Sequence, residues 1–98
     1  MKKPTVTIVI GTRPEAIKMA PVFLKFRESN IFNIRLITTG QHLEMVDQIL
    51  DFFQIAPNLN LKIMKKYQTL EYVTSEVMKG VMEDFKKNTA SLLLVQGD

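Results

Sequence analysis

The chain has 98 residues, 46% of them apolar and 23% charged, which allows one modest core and an ordinary soluble composition. It has no cysteine, which excludes a disulfide scaffold and any cysteine-based metal site or nucleophile. The net charge of +3 comes from thirteen bases mixed among ten acids, with only Lys65-Lys66 and Lys86-Lys87 adjacent beyond the amino-terminal tip, so no nucleic-acid partner is expected.

The start, "MKKPTVTIVIG", has a basic tip and an apolar stretch, but it contains threonines and runs into Gly-Thr-Arg-Pro with no small-residue cleavage site. We read it as a first strand over Thr5 to Ile10, not a signal peptide. No apolar run approaches the ~18 residues of a membrane span, so no membrane is expected. The strand is rich in Val, Ile and Thr without alternation, as in a parallel strand covered on both faces.

Arg13 to Ser29 reads as a helix, with Ile17, Ala20 and Leu24 on one face and Met19, Phe23 and Phe26 widening it. Pro21 is expected to kink or locally break it. Asn30 to Asn33 reads as a turn and Ile34 to Thr39 as a second strand. A second helix is expected over Leu43 to Phe53, because Met45, Val46, Ile49, Leu50 and Phe53 recur three and four apart. Pro57 and its neighbouring asparagines end that pattern. Leu59 to Ile63 reads as a short third strand and Lys65 to Gln68 as a polar loop.

The longest helical pattern covers Thr69 to Asn88, with Leu70, Val73, Val77, Val81 and Phe85 on one side, Thr69 as N-cap and Gly80 as a weak point. Ser91 to Val95 is a last strand. There is no repeat, low-complexity segment or interdomain linker. Strands alternating with helical crossovers predict an α/β fold, a Rossmann-like open parallel sheet with helices on both faces. A flavodoxin-like strand order is the alternative.

Three strands end in glycine followed by polar groups: Gly11-Thr12-Arg13, Gly40-Gln41-His42 and Gly97-Asp98. In a parallel sheet these ends share the edge where open α/β sheets bind ligands. Glycine there permits positive φ and close backbone approach, though it also serves simply to turn the chain. Thr12 followed three residues later by Glu15 fits a capping box, and Pro14 suits a first helical turn. The turn's N–H groups and the positive end of the helix dipole suit an anion. Arg13 is unfavourable at that dipole end unless an anion lies between, which points to a phosphate-like group, with Lys18 a turn and a half further on. Neither G-x-G-x-x-G nor the P-loop pattern is present. His42, the only histidine, is either a structural hydrogen-bonder or part of the site. Asp98 is either a general acid–base or ligand-orienting group, or the N-cap of a following helix. One histidine and scattered acids make no metal-ligand cluster.

Three stretches, "GTRPEAIKMAPV" (Gly11 to Val22), "TTGQHLEMVDQILDFFQI" (Thr38 to Ile55) and "LLLVQGD" (Leu92 to Asp98), resemble the start of the non-hydrolysing bacterial UDP-N-acetylglucosamine 2-epimerases. The resemblance runs essentially the whole chain in register. It implies that residues 1–98 form the first, incomplete part of the N-terminal domain of a two-domain, glycosyltransferase-B-like enzyme. The rest of that domain and the UDP-binding second domain fall outside. It implies an isomerase that interconverts UDP-GlcNAc and UDP-ManNAc through elimination of UDP, a 2-acetamidoglucal intermediate and re-addition. Substrate-site positions fall on Arg13, Lys18 and Asp98, with Asp98 also catalytic; an allosteric UDP-GlcNAc site falls on Gln41 and His42. Glu44 stands where the family pattern has glutamine and Tyr67 where it has arginine, which would remove a diphosphate partner from that second site. No NAD and no metal are implied as cofactors. A cytoplasmic enzyme of cell-wall polysaccharide synthesis, homodimeric as a whole, is implied. The 98 residues alone are expected to be inactive and to self-associate. The rival readings are a hydrolysing relative from sialic-acid synthesis and a stand-alone nucleotide- or anion-binding module.

Overall fold

The computed structural model describes residues 3–40, 43–63 and 69–95. They form, in chain order, β1 (Thr5–Ile10), α1 (Arg13–Ser29), β2 (Asn33–Thr38), α2 (Leu43–Phe52), β3 (Leu59–Asn60), α3 (Leu70–Lys87) and β4 (Leu92–Val95). The four strands make one parallel sheet in the order β3-β2-β1-β4. This is the order of a Rossmann half, and it sets aside the flavodoxin-like alternative. Parallel crossovers are right-handed, so the two steps from β1 to β2 to β3 put α1 and α2 on one face. The return step from β3 to β4 runs the other way and puts α3 on the opposite face.

Strand alternation sorts the side chains accordingly. Val6, Ile8, Ile10 and Leu36 face α1 and α2, and form one buried cluster with Ala16, Ala20, Phe23, Val46, Leu50 and Ile55. The row of α1 that does the burying is therefore Ala16–Ala20–Phe23, while Ile17, expected on the inner face, is 47% exposed. Two alanines let the helix lie close to the branched residues of the sheet. Pro21 does not interrupt α1, which runs unbroken to Ser29. Pro21 and Ile17, whose carbonyl loses its usual N–H partner, are both on the exposed side, where water can substitute. Asn30 caps the end in the left-handed conformation, φ 58°.

The other face of the sheet carries Thr7, Val9, Arg35 and Ile37. The Arg35 guanidinium reaches across to α3 and pairs with Asp84 at 2.6 Å. Thr69 caps α3 by accepting from the Tyr72 N–H at 3.0 Å. Gly80 does not break α3, and its missing side chain makes room for Leu61. The third strand is shorter than expected because Lys62 takes φ 57°. The backbone still donates to the end of β2, from Leu61 to Thr38 at 2.8 Å and from Ile63 to Thr39 at 2.7 Å.

Candidate functional site

The strand register brings the carboxyl ends of the sheet level. Ile10 pairs with Thr38, Thr38 with Asn60, and Val9 with Val95. The turn after β1 and the Thr39-Gly40 step after β2 thus share one rim. Arg13 is the first residue of α1 and is exposed at that rim. Lys18 is also exposed, about 7.5 Å further along the helix axis. Gln41, His42, Tyr67 and Asp98 lie outside the described residues, as does the side chain of Glu44.

Two details of the rim differ from expectation. The N–H groups of Gly11 and Thr12 do not await a ligand: both donate to the same oxygen, Oε1 of Glu15, at 2.7 and 2.9 Å. The spacing of Thr12 and Glu15 signals the second of these bonds; the first depends on how the strand enters the helix and has no pattern of its own. Gly11 is buried, yet among the described glycines only Gly40 has positive φ, at 86°.

Gly40 does meet a close backbone, but it belongs to the protein. A Cβ there would stand 2.8 Å from Asn60 Oδ1, 2.9 Å from Lys62 Cα and 3.1 Å from Ile63 N. Asn60 Oδ1 in turn accepts from the Lys62 N–H at 2.8 Å and so holds the chain after β3 over the end of β2. Asn60 is a rim residue that sequence reasoning passed over, because its role needs the fold. One groove, lined by Asp47, Asp51, Gln54 and Asn60, touches the rim at Asn60, and another, lined by Val22, Phe26 and Phe32, does not include Arg13. The described rim is therefore an open wall with a cation at its lip. Such a wall can hold an anionic ligand against Arg13, and needs further groups opposite it to enclose one.

Comparison with known proteins gives this geometry a context. The family model for UDP-N-acetylglucosamine 2-epimerase matches residues 24–98. The UDP-N-acetylglucosamine 2-epimerase of Bacillus subtilis is 45% identical over 98 residues, all of this chain and 26% of that protein. The Campylobacter jejuni protein of the same name is 47% identical over 96 residues, 95% of this chain and 24% of that one. The crystal structure of UDP-GlcNAc 2-epimerase from Neisseria meningitidis bound to UDP-GlcNAc superposes with a TM-score of 0.90 at 39% identity, over 96% of this chain and 25% of that one. The chain spans about a quarter of the length of the curated relatives it matches. With both its sequence and its strand order accounted for over nearly every residue, the chain belongs to the UDP-N-acetylglucosamine 2-epimerase family.

Proposed function

We propose that this chain supplies the first quarter of a UDP-N-acetylglucosamine 2-epimerase and one wall of its active site. The reading is carried by likeness to such enzymes across the whole of the chain. The exposed position of Arg13 at the head of α1, on the edge where parallel strands end, agrees with it. The parent protein is a two-domain, glycosyltransferase-B-like enzyme, with residues 1–98 the opening part of its N-terminal domain.

In the proposed reaction a base takes the proton from C2 of the sugar. The electron pair forms the C1–C2 double bond, and the C1–O bond to UDP breaks. The 2-acetamidoglucal and UDP are held until UDP returns to C1 and a proton is added to the opposite face of C2. Charge builds on the departing diphosphate, and Arg13 and Lys18 stabilise it there, where a positioned cation counts most. Asp98 serves as a catalytic carboxylate close to the sugar. Gln41 and His42 fall at a second, regulatory UDP-GlcNAc site, which Tyr67 in place of an arginine would weaken by the loss of a diphosphate partner. No metal or redox cofactor takes part in these steps. The enzyme works in the cytoplasm as a homodimer and its UDP-ManNAc product feeds cell-wall polysaccharide synthesis. Among the described residues no helix is long and apolar enough to cross a membrane.

The test is a graft. Residues 1–98 replace the matching quarter of the Bacillus subtilis relative, and UDP-ManNAc formation is assayed. The graft is expected to turn over and the 98-residue chain alone to be inactive. Arg13→Ala in the graft should lower kcat/KM by about 10²- to 10³-fold, the loss typical of one transition-state donor. Turnover by the isolated chain, or full activity of the Arg13→Ala graft, would sink the reading.

A further inference from the structure

The turn between β1 and α1 presents the N–H groups of Gly11 and Thr12 and the guanidinium of Arg13; Pro14 has no N–H to add. At many helix starts such amides carry the oxygens of a bound phosphate. Here the two amides converge on one carboxylate oxygen of half-buried Glu15, at 2.7 and 2.9 Å. Both bonds are charge-assisted, and they tie the end of β1 to the first turn of α1. Arg13, between these anchors, is exposed.

We infer that Glu15 is a positioning residue. It fills the amide cradle of the turn with its own carboxylate, fixes the path Gly11–Thr12–Arg13, and leaves an incoming diphosphate to be met by the Arg13 side chain instead of the backbone. The inference rests on the proposed role of Arg13 at a diphosphate. It gives that role a physical sense: a guanidinium on a long stem can follow a phosphate that departs and returns, whereas a rigid pair of amides cannot. The cost is a like charge beside the ligand.

Two measurements on the ¹⁵N-labelled chain test this. The first is hydrogen exchange of the Gly11 and Thr12 amides without ligand, in wild type, Glu15→Gln and Glu15→Ala. Glutamine keeps an acceptor oxygen in place, so its exchange should stay near wild type, while Glu15→Ala should exchange about tenfold faster or more. Equal exchange in all three overturns the inference. The second is titration with inorganic pyrophosphate. The Arg13 Nε–Hε resonance should move while the Gly11 and Thr12 amides stay still. Glu15→Gln, lacking the like charge, should bind about two- to fivefold tighter. Gly11 and Thr12 moving with the same midpoint as Arg13 would mean that the ligand displaces Glu15, and also overturns the inference. If pyrophosphate moves none of the three, the diphosphate role of Arg13 falls, and the exchange experiment still decides whether Glu15 holds the turn.

Discussion

At Gly40 a φ of 86° coincides with backbone atoms of Lys62 and Ile63 within about the diameter of a methyl group of where a Cβ would be. Neither the dihedral angle nor the backbone contact can relax cheaply. Gly40→Ala should therefore cost about 1–3 kcal/mol, read as a lower urea midpoint. Gly80 gives the contrast. A Cβ there meets the branch end of Leu61, with Cδ2 at 2.5 Å, and Leu61 is only half-buried and can turn aside. Alanine also favours the helix, so Gly80→Ala should stay within about 1 kcal/mol of wild type. Equal losses from the two substitutions would refute this account of Gly40. The pair shows how much of the rim can be read from residue types. That Gly40 needs its glycine was legible at a strand end before a polar pair. What crowds it was not, because Asn60, Lys62 and Ile63 come twenty residues later and reach it only through strand pairing. The place of Arg13, exposed at the head of α1, was legible from the capping pattern around it, and its anion partner is part of the proposal.

Among the elements, α3 is held to the sheet by a charged contact more than by its apolar row. Val73, Val77, Val81 and Phe85 are only half-buried, whereas the Asp84 side chain is 4% exposed and sits 2.6 Å from Arg35. Asn88 donates to the same carboxylate at 3.2 Å and completes its partners. Arg35→Ala leaves a buried carboxylate without its cation and should destabilise the chain by about 3 kcal/mol, with the amides of α3 losing exchange protection first. Replacing both partners, Arg35→Met with Asp84→Leu, should recover most of that loss, since apolar groups of similar size carry no desolvation penalty. A double variant as unstable as the single one would refute the unpaired carboxylate as the source of the loss. The elements themselves were readable to within a residue or two at nearly every end, because apolar spacing of three and four, or unbroken runs of Val, Ile and Leu, follow from where each faces the core. Beyond the shorter third strand and the unbroken helix at Pro21, the difference is one of rotation. Ile17 falls on the inner face by its spacing with Ala20 and Leu24, but the residues that α1 buries are Ala16, Ala20 and Phe23. Arg35 inside "IRLITT" gave no sign of its partner, 49 residues away.

For the molecule as a whole, what decides behaviour in solution is the outer edge of β4, which among the described residues pairs only with β1. Among the described residues no strand bonds to the N–H and C=O groups of that edge, and apolar side chains flank them. Val95 is 65% exposed, and Leu92 and Leu93 are also exposed. On α3, Met78 and Met82 add two more exposed apolar side chains one turn apart, at 62% and 55%. An open edge with apolar faces favours a second strand, and the strand always available is β4 of another copy. The isolated chain should therefore associate as its concentration rises, seen in sedimentation velocity as a weight-average coefficient that climbs over a tenfold dilution series. Val95→Lys puts a charge at the end of the edge without touching the buried cluster, and should weaken association by about tenfold while leaving the melting temperature unchanged. If Val95→Lys associates as strongly as wild type, the contact runs through another surface, with the methionine pair of α3 the next to test. A single monomeric species at every concentration would mean that the edge is already protected, and would remove the case for self-association altogether.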